Sequence, residues 1–149
     1  MISWGFFMHE LKGGCHCGAI SVVYKTSIAP KDTVPRACQC SFCRKHNTAA
    51  ISDPEGDLTI KVSDGDKLNR YQFGLNTCDF LICRECGVYV AAFAPEQGDD
   101  SGYATLMSVT LDDQALYPLA QPTHYAGEDS EGRRERRRKV WTPARLEIR

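Results

Sequence analysis

Seven of the chain's eight cysteines fall into three tight groups, Cys15-x-Cys17, Cys38-x-Cys40-x2-Cys43 and Cys83-x2-Cys86, while Cys78 stands apart. A short turn can place two sulfurs about 2.3 Å from one tetrahedral zinc ion, so gaps of one and two residues suit metal ligation. Disulfides gain nothing from such gaps, because bridged cysteines need particular Cα separations and angles. The apolar stretch ISWGFF near the start is shorter than a signal-peptide core and lacks a basic lead. The expected location is therefore the cytoplasm, where thiols stay reduced and clustered cysteines serve as metal ligands or nucleophiles. Met8, opening MHELKGGCHCG, offers an alternative start that leaves the residues before it as an extension. The expected organisation is a disordered or extended lead over 1–10 and one zinc-binding domain over 11–149, a length that suits a single domain.

Other function classes find little support. The formal net charge of -1 supplies no global field for nucleic acid or a membrane surface. No apolar run approaches the roughly 20 residues that a bilayer span requires.

The residues around the cysteines describe how they are carried. Gly18 follows Cys17 and Gly87 follows Cys86, and a glycine there lets the backbone turn with positive φ and aim N–H groups at the sulfurs. AISVVY (19–24) and VYVAAFA (88–94) are β-rich runs leaving these two knuckles. LTIKV (58–62) alternates apolar and polar residues, and ATLMSVTL (104–111) is a further predicted strand. SDPEGD (52–57) and SDGD (63–66) supply turns. Helical periodicity is weak before the C-terminal third, so the body is expected to be mainly β.

Seven clustered thiolates cannot fill two four-sulfur sites. One closed four-cysteine site and one three-cysteine site with a spare position is the natural division, and an open position distinguishes catalytic from structural zinc. Spacing alone does not pair the groups. The triplet CQCSFC (38–43) is compact enough to hold its own ion, which leaves Cys15, Cys17, Cys83 and Cys86 for the other.

The succession GGCHCGAI (13–20), RACQCSFCRKH (36–46) and FLICRECGVYV (80–90) resembles the glutathione-dependent formaldehyde-activating enzymes and their centromere-protein-V-like relatives, over roughly residues 11–94. The resemblance implies a β-tent of small antiparallel sheets. It implies one structural zinc at Cys15, Cys17, Cys83 and Cys86 and a second zinc at Cys38, Cys40 and Cys43. It further implies a carbon–sulfur lyase activity that joins a small thiol, glutathione, to formaldehyde or a related aldehyde. Such chemistry fits an open thiolate site, since zinc stabilises a thiolate beside a carbonyl. Three cysteinate ligands leave a net negative shell that weakens Lewis acidity, so thiol delivery is the expected role. Arg36, Arg44 and Lys45 lie nearest the triplet in sequence and are the candidates to hold a substrate carboxylate, or else to balance the thiolate charge.

His46 is the residue that discriminates among readings. At Cys43-x2-His46 it has ligand spacing and would close the second site; alternatively it accepts a proton from an incoming thiol, or it only packs. His16, between two ligands, is expected to face away from the metal. Cys78 reads as a buried small hydrophobe, with a redox role or replacement ligation as alternatives. Gln39 and Phe42 fill the spacers of the triplet and are candidates to line a pocket above it.

The C-terminal third contains RRERRRK, six basic residues within 133–139, preceded by Glu128, Asp129 and Glu131. Glu135 and Lys139 make an i,i+4 helical pair. A solvated short helix ending at Trp141-Thr142-Pro143, followed by strand-like ARLEIR, is the economical reading. Nucleic-acid binding through 133–139 is the less favoured one, and a third has the arginines fold over the metal face to receive an anionic substrate. Two function classes follow: a zinc-dependent enzyme acting on a small thiol and an aldehyde, and a non-catalytic module in which two structural zincs present a surface to protein or nucleic acid.

Overall fold

The computed structural model describes residues 7–96, 98–125 and 127–149; the greater part of the expected N-terminal lead, residues 1–6, lies outside the described residues. Eleven strands and two α-helices are present among the described residues: β1 (His9–Gly14), β2 (Ile20–Thr26), β3 (Arg36–Cys38), α1 (Ser41–His46), β4 (Ala50–Ile51), β5 (Asp57–Val62), β6 (Leu68–Tyr71), β7 (Asp79–Cys83), β8 (Tyr89–Pro95), β9 (Ser101–Met107), β10 (Gln121–Thr123), α2 (Ser130–Val140) and β11 (Thr142–Ile148). The chain is mainly β, as its residue pattern requires. No helix among the described residues is long and apolar enough to cross a membrane.

Period-two burial builds the principal core. In β2, Ile20, Val22, Tyr24 and Thr26 are buried, and in β5 Leu58, Ile60 and Val62. Thr142, Ala144 and Leu146 do the same in β11, which lies between β5 and β9. These side chains share one face, as alternation demands, and meet Leu81, Val90, Phe93 and Leu106 from the following strands. β8 is buried on both faces, so its run YVAAFA is continuously apolar rather than alternating. Val90 is an extra residue opposite the β7 ladder between Leu81 and Ile82, a bulge that turns Val90 and Ala91 to the same core.

The sheet divides at β9. One edge of β9 pairs with β8 over Gly102–Leu106, while the other is shared, β11 taking Ser101–Ala104 and β4 taking Leu106–Met107. The branch through β4, β3 and β10 carries the cysteine triplet, which begins at the end of β3. Most pairings are antiparallel; β5 with β11 and β3 with β10 are parallel, each joining segments far apart in the chain.

Two local features differ from the sequence reading. The strand expected over 104–111 ends at Met107, because Ser108–Thr110 forms a 3-10 turn closed by the Thr110 hydroxyl donating to the Met107 carbonyl at 2.7 Å. A helix, α1, begins within the triplet, in a part of the chain where helical periodicity is weak. Six residues are too few to show a helical period; the helix exists because Cys40 caps its start and Asn47, in the left-handed region at φ 51°, ends it.

The turn 52–57 forms as expected, and Asp53 is its anchor. Its carboxylate, 5% exposed, accepts from the Thr26 hydroxyl at 2.7 Å and from the Glu55 N–H at 2.9 Å, while its own N–H donates to Thr142 Oγ1 at 2.8 Å. One residue thereby ties β2, the turn and β11. Asp53→Ala leaves the buried Thr26 hydroxyl, which still accepts from the Ile28 N–H at 3.1 Å, without an acceptor for its proton and is expected to cost about 3 kcal/mol, read as a lowered urea midpoint with unchanged slope.

Candidate metal centres and an arginine-lined cavity

Two hairpin ends converge to form the first centre. The loop from β1 to β2 carries Cys15 and Cys17, and the loop from β7 to β8 follows Cys83 and carries Cys86. Gly18 at φ 86° and Gly87 at φ 80° make the two tight turns, which explains the glycine after each cysteine pair. All four Sγ atoms lie within 4.8 Å of one another. Cys15 and Cys17 sulfurs are 3.7 Å apart, and Cys17 and Cys83 sulfurs 3.5 Å apart. A tetrahedron with zinc–sulfur bonds of 2.3 Å has edges of about 3.8 Å, so the spacing fits one ion. The Ile20 N–H donates to Cys15 Sγ at 3.2 Å, the contact a thiolate ligand requires. His16 is exposed and outside the group.

The second centre is built from consecutive elements. Cys38 ends β3, Cys40 caps α1 by accepting from the Cys43 N–H at 3.4 Å, and Cys43 lies in the first turn of that helix. Their three sulfurs again fall within 4.8 Å of one another. Hydrogen bonding from the Cys43 thiol holds Cys38 down at about 5; burial opposes this, and the Cys40 amide and the Arg136 guanidinium assist it. The same pairing, with burial, pushes Cys43 up. The trio thus carries negative charge at neutral pH and suits a soft divalent cation.

His46 does not join this group. It is exposed on the last turn of α1, its ring 4.5 Å from the Phe42 ring and 5.4 Å from that of Tyr89. Arg44 and Lys45 are likewise exposed on α1 and outside the cavity lining. Arg36 does reach the site, donating to Ser52 Oγ at 2.9 Å and to Thr105 Oγ1 at 2.8 Å. Gln39 lines the cavity, whereas Phe42 packs behind it against Phe80 and Tyr89. Cys78 is buried, its thiol pushed up by that burial, and accepts from Arg137 at 3.6 Å.

A cavity of about 320 Å³ opens above the three sulfurs and does not reach the four-sulfur group. Its floor is Cys38, Cys40 and Cys43; Tyr89, Phe80 and Trp141 form apolar wall; and Arg133, Arg136 and Arg137 of α2 project from one side. The acidic lead-in to α2 has structural work: Asp129 accepts from the Gly132 N–H at 2.7 Å as the N-cap, and Glu128 pairs with Arg136 at 3.0 Å. The expected Glu135–Lys139 pair forms at 3.2 Å, and Arg138 meets Glu96 at 2.7 Å. α2 ends at Trp141, which is buried beneath the Arg137 guanidinium at 4.7 Å. RRERRRK therefore divides by face. Residues 133, 136 and 137 stand at i, i+3 and i+4, a spacing visible in the sequence that marks them as neighbours on one side. Tyr89, Thr48, His124 and Tyr125 also line the cavity, and no sequence signal distinguishes them from ordinary core or loop residues.

A family model described as "Glutathione-dependent formaldehyde-activating enzyme" matches residues 10–126. A crystal structure of a Rhodobacter sphaeroides protein aligns with a TM-score of 0.49 at 26% identity, covering 73% of this chain and 99% of that one.

Native mass spectrometry is expected to find two zinc ions per chain. Cys40→Ser should retain one ion and the fold, His46→Ala should retain both, and Cys86→Ser should lose the other ion and at least about 3 kcal/mol of stability, because that site joins two remote loops.

Proposed function

Because the chain belongs to the family of glutathione-dependent formaldehyde-activating enzymes, we propose that it joins a small thiol such as glutathione to formaldehyde or a related aldehyde. Cys15, Cys17, Cys83 and Cys86 would hold a structural zinc, and Cys38, Cys40 and Cys43 a second zinc at the reacting site. The observation that carries this reading is the unequal surroundings of the two sulfur groups: the trio forms the floor of a cavity, and the quartet does not touch it.

The reaction asks for little beyond positioning and proton handling. A sulfur–carbon bond forms as the carbonyl π bond opens, and the thiol proton ends on the new hydroxyl; nothing is oxidised or reduced. Zinc at the trio would supply the positive charge that lowers the pKa of a thiol brought beside it. The chain's own groups do the rest. The apolar wall of Phe80, Tyr89 and Trp141 limits water around the reacting atoms. Burial, with the neighbouring sulfurs, holds the Tyr89 phenol protonated, which makes it a hydrogen-bond donor for the carbonyl oxygen as negative charge develops there. Holding the thiol and aldehyde together removes the entropic cost of their encounter.

Exchange NMR with ¹³C-formaldehyde and glutathione measures formation of the S-hydroxymethyl adduct directly. The protein is expected to accelerate it, Cys40→Ser to return it to the uncatalysed rate, and Tyr89→Phe to slow it about tenfold or more. In a cobalt-substituted sample, glutathione is expected to alter the thiolate charge-transfer band. No acceleration together with an unchanged band would leave both sites structural.

A further inference from the structure

The charge in the cavity is unbalanced. Arg36, Arg133, Arg136 and Arg137 all line it, and no aspartate or glutamate does. Glu128 compensates Arg136 through a contact of 3.0 Å. Arg36 donates only to neutral hydroxyls, and Arg137, 5% exposed, donates from Nη1 to the Thr77 carbonyl and hydroxyl at 3.0 and 2.8 Å. Arg133 forms no ion pair or side-chain hydrogen bond among the described residues, and its Nε is buried without a partner. Even with a divalent ion at the sulfur trio, three thiolates leave a single negative charge there. Two positive charges then remain uncompensated.

Unsatisfied polarity points the same way. Among the described residues, the buried side-chain polar atoms without partners are Thr48 Oγ1, Thr123 Oγ1, Arg133 Nε and Arg137 Nε, and each belongs to a residue of this cavity. Buried polar groups are paired as a rule, and a cluster of exceptions around one space marks where a polar ligand belongs. The family match ends at residue 126, four residues before α2 begins at Ser130. Arg133, Arg136 and Arg137 therefore come from the segment that follows the matched residues, whereas Arg36 lies within them.

We propose that Arg133 of α2, outside the residues that the family model matches, is a specificity-determining residue of this cavity and pairs with a carboxylate of the incoming thiol. This rests on the preceding reading that a small thiol enters the cavity, and deepens it by assigning the residue that reads the thiol's carboxylate. Arg136 is held in place by Glu128 below and by Tyr125, over whose ring its guanidinium lies at 3.7 Å, so Arg133 is the group free to pair with an incoming anion. Arg134, one residue on in the same helix, is exposed, outside the cavity and 3.9 Å from Glu131, which provides an internal control.

The test measures binding separately from turnover. S-methylglutathione keeps both carboxylates and has no thiol; its dimethyl ester keeps neither charge. Calorimetric titration of the zinc-loaded protein should show the diacid binding at least about tenfold more tightly than the diester. Arg133→Gln should remove most of that preference, Arg133→Lys should restore part of it, and Arg134→Gln should leave it intact. Glu128→Gln, which frees Arg136, should increase it. Equal affinity for diacid and diester, or equal losses in the Arg133→Gln and Arg134→Gln variants, overturns the proposal; unchanged zinc content in each variant shows that the fold is kept. Diacid selectivity without formaldehyde adduct formation would sustain this inference while refuting the proposed reaction. Adduct formation at equal rates from glutathione and its diester would do the reverse.

Discussion

Four sulfurs held within 4.8 Å of one another repel as thiolates and gain little as thiols, so the convergence of residues 15–17 with residues 83–86 is favourable chiefly when a cation sits among them. That requirement organises the molecule. It fastens the β1–β2 hairpin to the β7–β8 hairpin across more than sixty residues of chain, at the end of a sheet whose core is otherwise made of alternating Ile, Val and Leu. With those loops tied to each other, β8 lies buried on both faces, and its Tyr89 and Ala92 face the second centre.

The second centre follows a different physical logic. Its three sulfurs lie within six residues, so holding them close is a local matter of a strand end, a cap and a helical turn. Such a site needs no distant partner for closure, and its free side can face a cavity. What the remote segments contribute is the environment. The 72–78 loop and β8 provide apolar wall, and α2 lays guanidinium groups beside negatively charged sulfur. In a partly desolvated space these charges act more strongly than on the surface, and Glu128 and Tyr125 hold the Arg136 guanidinium in place among them.

The C-terminal segment links the two. β11 is inserted between β5 and β9, so the residues after the family match are central to the sheet rather than appended to it. The parallel ladder from Ala144 with Leu58 to Ile148 with Val62 fixes where β11 begins, and Trp141 at the junction fixes where α2 ends. α2 is thereby positioned with Arg133, Arg136 and Arg137 along the cavity.

The residues alone marked three cysteine groups as candidate metal ligands, glycines at 18 and 87 as the knuckles, and strands as their flanks, because ligand spacing, positive φ and period-two burial are local properties. The pairing of 15–17 with 83–86 was open from spacing and followed from the resemblance. Which cations serve the triplet is different in kind. Arg44 and Lys45 are nearest along the chain yet lie on the exposed side of α1, and His46, though at ligand spacing, has its ring against Phe42 because the helical turn after Cys43 carries it toward the aromatic cluster. Arg133, Arg136 and Arg137, some ninety residues away, line the cavity instead. Their i, i+3, i+4 spacing put them on one helix face, but only the docking of α2 between Trp141 and β9 decided what that face looks upon, since a face has no direction until the sheet beneath it is closed.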